Sequence, residues 1–189
     1  YPILAPALFG SHEIGESYLE EPETAVGRTI KVNLMHLTGD VKSQNIEIKF
    51  ELTGFKDSAL QTRIIVYSYS SGSIKRLIRR HMNKIDDSLV GTTTDGIKIR
   101  IKPMALTRNK VSKAVETALR IAIREEVLNY VKNNTYESLF TTISKYQFQS
   151  QMKQKLYKIY PVKVFEIRVL KEEKHHSAKE TPLPVRKTV

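Results

Sequence analysis

A chain of 189 residues, 40% hydrophobic and 27% charged, can bury a real core as one larger domain or two small ones. It has no cysteine, which excludes disulfides, thiolate metal sites and cysteine nucleophiles, and no apolar run approaches the roughly 20 residues of a bilayer-spanning helix. The net charge of +11 and pI near 9.7 point to a polyanionic partner, either a nucleic acid or an anionic membrane surface. That charge is unevenly spread. Residues 1–27 hold five Glu and no Lys or Arg, whereas residues 73–113 hold eleven basic and three acidic residues.

In chain order, residues 1–27 read as an irregular N-terminal segment, because Gly10, Gly15 and Pro22 break any period. Arg28 to Leu37 alternates, with Ile30, Val32 and Leu34 on one face of a strand. Ile46, Ile48, Phe50 and Leu52 alternate with Glu47, Lys49 and Glu51 in a second strand, and Leu60 to Tyr67 reads as a third. Glycine-containing connections at Gly39-Asp40 and Gly54 make these an antiparallel meander. Ser73 then caps a helix to Lys84 whose apolar face is Ile74, Leu77, Ile78 and Ile85. Two strands, Leu89 to Thr93 and Ile97 to Lys102, flank a hairpin turn at Asp95-Gly96.

Asn109 to Lys132 reads as a long helix with a stripe of Val111, Val115, Ala118, Leu119 and Ala122. Asn134 and Glu137 resemble a capping box for a second helix, with Tyr136, Leu139, Phe140 and Ile143 turned inward. A third helix runs from Gln149 to Ile159, Pro161 stops it, and Val162 to Leu170 is a last strand. From Lys171 the chain reads as a polar tail over 171–189. The expected fold is α+β: an antiparallel, barrel-like sheet with a basic helix and a C-terminal group of helices returning to a final strand. Residues 28–170 form the globular part, divisible into a β-rich 28–108 and a helical 109–170 that ends in the strand.

The chemistry is concentrated in the basic stretch. On the helix, Lys75, Arg76, Arg79, Arg80 and Lys84 fall opposite the apolar face with no acid interleaved. Such a ridge is either a solvated face or a phosphate-binding one, and phosphate contacts would offset its self-repulsion by releasing counterions. On the strand, Lys98, Arg100 and Lys102 share one face while Ile97, Ile99 and Ile101 share the other. The strand carrying Glu47, Lys49 and Glu51 alternates sign, as a water-facing strand does, so Arg100→Glu is expected to weaken RNA binding more than Lys49→Glu. The alternative is that acids on a neighbouring strand neutralise the row of three. Arg108, Lys110 and Lys113 carry the basic character into the long helix.

Enzyme signals are weak. There is no P-loop, dinucleotide fingerprint or His-Glu-x-x-His, so no catalytic residue, metal ligand or cofactor is assigned. Asp86-Asp87 could hold magnesium in a nuclease, but adjacent acids after a basic helix are more often a turn. His175-His176 reads as surface histidine in the tail, and Tyr67 and Tyr69 as sheet core rather than base-stacking platforms.

Several blocks resemble the archaeal and eukaryotic small-subunit ribosomal protein family eS-one, formerly S-three-Ae. Tyr1, Ala5 to Phe9 and Ile14-Gly15-Glu16 are similar to its opening. Gly27 to Val32 and Leu37 to Asp40 are similar to its first strand and turn, and Leu77 to Arg80 with Lys84 to Asp86 to its basic helix. Thr92 to Gly96 followed by Ile99 to Pro103 is the most specific block, and Ile159 to Pro161 with Glu166 to Arg168 resembles its closing strand. The mix looks archaeal, and the chain departs from the family at Ser70 to Ser73, where members carry a charged step. The resemblance implies a structural role in the cytoplasmic small ribosomal subunit, on the platform near the messenger exit. The implied partners are small-subunit rRNA, especially its 3′ region, neighbouring platform proteins and messenger RNA at the exit, with no membrane. Without the resemblance, a non-ribosomal RNA-binding or translation-regulating protein fits the same residues.

Overall fold

The computed structural model describes residues 1–173. Nine strands form one mixed but mainly antiparallel sheet: β1 (Pro2–Leu4), β2 (Glu13–Glu16), β3 (Thr29–Asn33), β4 (Ile46–Lys56), β5 (Ala59–Tyr69), β6 (Lys84–Asp86), β7 (Leu89–Thr92), β8 (Lys98–Thr107) and β9 (Val162–Glu172). Five α-helices accompany them: α1 (Leu34–Thr38), α2 (Ser71–Leu77), α3 (Lys113–Lys132), α4 (Tyr136–Ser144) and α5 (Gln147–Tyr157). The last strand lies in the middle. β9 pairs antiparallel with β5 on one side and β8 on the other, and β8 carries β6 and β7 along its far edge. On the other side β5 pairs with β4, which pairs with β3. The sheet is therefore α+β in class but open, and no pairing among the described residues closes it into the expected barrel.

One face of this sheet is the core. Ile48, Tyr67, Leu170, Ile101 and Leu89 stand in register across five strands, all buried. α5 lies on β9, α3 on β6 and β7, and α4 against α5. The buried stripe of α3 is Leu119, Ile123, Val127 and Val131, an i, i+4 row, and Ala118 faces solvent. Tyr130 stacks on Phe148 with centroids 4.3 Å apart, and Phe148 meets Phe165 of β9 edge-on. Tyr67 belongs to this core, as its sequence context suggested.

Several boundaries differ from the sequence reading for local reasons. Residues 1–27 are not wholly irregular: β1 pairs with β2 and runs parallel to β5. The first strand stops at Asn33, whose side chain accepts from Met35 N (2.9 Å) and starts α1; Gly39, at φ 70°, ends it. The turn between β4 and β5 is not at Gly54 but at Asp57-Ser58, both at positive φ, as a two-residue hairpin of type I′ requires. Thr135, not Asn134, caps α4, accepting from Ser138 N; Asn134 donates back to Tyr130 O and closes α3. The turn at Asp95-Gly96 is as read, and Asp95 accepts from Tyr136 N at the start of α4.

The basic helix is much shorter than expected. α2 ends at Leu77 because Ile78 adopts extended backbone. Residues 78–83 then cross to the sheet, where Asn83 N and O bond the Thr107 hydroxyl and N, and Lys84 to Asp86 form β6. Ser73 does not cap; it is buried and donates to Asn45 Oδ1 (2.6 Å). The strand β9 runs through Lys171 and Glu172, so the polar tail begins later than read; residues 174–189, with His175 and His176, lie outside the described residues.

α3 crosses β7 closely at Gly91. A β-carbon there would lie 2.9 Å from Cγ1 of Val131, a buried β-branched side chain with little freedom to move. Gly91→Ala is expected to destabilise the protein by about 1–3 kcal/mol through overpacking. Urea denaturation checks this, and Gly91→Ala with Val131→Ala should recover part of the loss.

Candidate nucleic-acid interface

Among the described residues the face of the sheet opposite the core is open only in part: Met104 and Leu106 at one end of β8 are fully buried on it, while Lys98, Arg100 and Lys102 at the other end are exposed or half-buried. Its side chains follow from strand alternation: if Ile99 and Ile101 point to the core, Lys98, Arg100 and Lys102 point away. The register extends this across the sheet. Lys31 of β3 stands opposite Lys49 of β4, Lys49 opposite Val66 of β5, Val66 opposite Lys171 of β9, and Lys171 opposite Arg100 of β8. Four cations thus lie in one line running across the strands. The neighbouring line runs Asn33, Glu47, Ser68, Val169 and Lys102.

Two sequence expectations change here. Lys49 is not on a separate, water-facing strand; it stands in the same row as Arg100, so the two strands cannot serve as test and control. Arg100 also has an intramolecular partner. Its Nε lies 2.7 Å from Glu173 Oε2 and its Nη2 3.0 Å from Oε1, a two-point pair that raises the guanidinium pKa and lowers that of Glu173. Neutralisation by a neighbouring acid therefore holds for Arg100. On the same face Lys31 reaches Glu47 at 4.0 Å, and Arg63 pairs with Glu51 at 2.7 Å.

The other singled-out residues are scattered. Lys75 and Arg76 are exposed on the short helix α2, and Arg76 donates to Ser73 Oγ. Arg79 and Arg80 are exposed in the crossing segment, so the five-residue helical ridge does not form. Lys84 lies on β6 and pairs with Asp86 at 2.5 Å. Arg108 and Lys110 are exposed after β8, and Lys113 pairs with Glu116 at 3.3 Å at the start of α3. Lys31, Lys49 and Lys171 were missed. The only signal for Lys171 was continued alternation past Leu170, masked by the polar run that follows.

Asp86 and Asp87 each face cations. Burial raises the Asp86 carboxyl, but Lys84 and Arg168 (2.6 Å) outweigh it and hold it below its usual range. A hydrogen bond from Arg124 lowers Asp87. The pair thus ties β6 and the turn after it to β9 and α3. Among the described residues no group of three or more His, Asp or Glu could hold a metal ion, and no helix is long and apolar enough to cross a membrane.

An open sheet with its apolar face under helices and cations ranked across the open part of its other face defines an α+β protein that presents a polar surface. The chain belongs to the ribosomal S3Ae family, whose profile matches residues 1–175. That is a family of ribosomal proteins, not of enzymes. It is 34% identical to the small ribosomal subunit protein eS1 of Halorubrum lacusprofundi over 170 residues, 90% of this chain and 79% of that one. To the eS1 of Methanothermobacter thermautotrophicus it is 30% identical over 175 residues, 91% and 90% of the two chains, and to that of Desulfurococcus amylolyticus 26%, covering 88% and 78%.

One buried acid sets a pH signature. Glu166 of β9 keeps one carboxylate oxygen without a partner among the described residues. Burial pushes its pKa up to about 7, against the pull of Lys153. An acid raised from 4.5 to about 7 holds its proton more tightly when folded, so its contribution is full below 4.5 and lost as pH rises from there through 7. Glu166→Gln is expected to match the wild type near pH 4 and to exceed its stability above pH 7 by up to about 3 kcal/mol. Urea titrations across that range check it; a constant difference would contradict the raised pKa.

Proposed function

We propose that this chain is a structural constituent of the small ribosomal subunit in the cytoplasm, and that the cationic part of its outer sheet face binds small-subunit rRNA. The observation that carries the reading is the line Lys31, Lys49, Lys171 and Arg100 across five strands, broken only by Val66 of β5. Like charges a strand spacing apart repel one another. A polyanionic backbone laid across the strands would meet them in succession, offset the repulsion and release counterions. Lys98 and Lys102 flank that line, and Lys75, Arg76, Arg79 and Arg80 add sequence-independent phosphate contacts from α2 and the crossing segment. The named relatives, all small ribosomal subunit proteins, support the ribosomal setting.

The finer placement follows the family resemblance: the platform near the messenger exit, the 3′ region of the rRNA, and neighbouring platform proteins and messenger RNA as further partners. The acidic N-terminal segment, with five Glu and no Lys or Arg in residues 1–27, is suited to a basic protein neighbour rather than to RNA.

Binding of a 3′ rRNA fragment should weaken steeply with salt. Lys49→Ala with Lys171→Ala is expected to lower the slope of log K against log salt by about 0.9 for each phosphate no longer neutralised. Lys42→Ala, at an exposed lysine outside the row, should leave both affinity and slope unchanged. Fluorescence anisotropy over a salt series checks this. Equal effects from the row and from Lys42 would remove the sheet face from the interface.

A further inference from the structure

A second cationic feature lies away from the sheet face. A cleft of about 530 Å³ is lined by His81, Arg108, Asn109, Lys153, Tyr157, Pro161, Val162 and Lys163. Four separate segments build it. His81 lies in the crossing segment, which Asn83 and Thr107 pin to the end of β8. Arg108 follows β8, and its N–H donates to Pro161 O at 3.3 Å, fixing this loop against the entry to β9. Lys153 and Tyr157 are four residues apart on one face of α5, and Lys163 is on the exposed side of β9.

Three properties single out this cleft. None of its lining residues is acidic. Among the described residues the side chains of His81, Arg108 and Lys163 have no hydrogen-bond or ion-pair partner, whereas Arg63, Arg100, Arg124 and Arg168 each hold a carboxylate. Tyr157 is 66% exposed, an aromatic ring left in water beside these cations. Its size is within the range of small-ligand sites, roughly 300–1,000 Å³. A duplex is too wide for such a recess, and its bases are stacked away from an aromatic ring. An unpaired nucleotide satisfies both halves at once: its phosphate takes the guanidinium and ammonium donors, and its base lies on the phenol ring.

We propose that this cleft is a binding site for single-stranded RNA, with Arg108, Lys153 and Lys163 holding a backbone phosphate and Tyr157 stacking the adjacent base. The site rests on the RNA-binding reading above but is separate from the sheet face. Lys and Arg there recognise phosphate without regard to sequence, and one stacking ring tolerates any base, so the cleft anchors a strand rather than reading it. A labelled octa-uridine and a blunt RNA duplex distinguish the two surfaces, each measured by anisotropy over a salt series.

Tyr157→Ala is expected to weaken octa-uridine binding about tenfold with little change in salt slope, and Tyr157→Phe, which keeps the ring, to bind as the wild type. Arg108→Ala with Lys163→Ala should weaken it and flatten the slope. None of these changes should alter duplex binding, and Tyr157, Arg108 and Lys163 are exposed enough that thermal melts should match the wild type. Wild-type affinity for octa-uridine in the cleft variants, or equal weakening of single strand and duplex, overturns the cleft. If the cleft variants are silent while Lys49→Ala with Lys171→Ala still weakens the rRNA fragment, the cleft fails and the sheet face stands. If no variant changes binding to any RNA, both readings fail.

Discussion

The pairing of β9 between β5 and β8 is the interaction on which the rest of the molecule depends. Without it the chain is two smaller sheets, β1 to β5 and β6 to β8, each with one edge unpaired. β9 joins them, and it also supplies the floor on which α5 lies and the register that places Leu170 between Tyr67 and Ile101. A strand inserted from the far end of the sequence carries a loop-closure cost that only a continuous apolar face can offset. The same register decides the other face. Because Leu170 points into the core, Lys171 points out, and the line of cations from β3 to β8 continues through the central strand.

The acids divide the basic residues into two populations. Asp86, Asp87, Glu116 and Glu173 hold Lys84 and Arg168, Arg124, Lys113 and Arg120, and Arg100. Three of these pairs, Arg168–Asp86, Arg124–Asp87 and Arg100–Glu173, cross between elements and tie β6, β8, β9 and α3 into one frame. Among the described residues Arg108 and Lys163 of the cleft, with Lys49 and Lys171 of the row, form no ion pair that joins one element to another. With these acids taken up inside the frame, Arg108 and Lys163 in the cleft and Lys49 and Lys171 on the sheet keep positive charge on two surfaces where a polyanion can approach.

What was legible in the sequence was local. Alternation gave β4 and the Ile99–Ile101 part of β8 their inward faces, and helical spacing gave α4 and most of α5. The errors arose where a long-range partner overrode a local pattern. Residues 73–84 have helical spacing, yet the chain leaves the helix at Ile78 because Ile85 is buried in β6 against the edge of β8, opposite Ala105. Leu34 continues the alternation of β3, but the Asn33 cap turns it into a helix. The cleft was not legible at all. Its residues come from four stretches between His81 and Lys163, and no spacing rule links them; only Arg108 stood out, and only for its charge.

The two surfaces also differ in how a charge would be read. On the sheet, Arg100 is held by Glu173 at two points, so its guanidinium is ordered but partly neutralised, and an exposed pair of this kind contributes little to stability. A phosphate arriving there competes with a carboxylate already in place, and the gain is mainly in position. In the cleft, Arg108 and Lys163 have no such competitor among the described residues, and a phosphate would meet their full charge. On the proposed reading the sheet would be the broad, weakly selective surface and the cleft the narrower one, the division of labour expected if the protein lies along a folded RNA and holds an unpaired strand at its side.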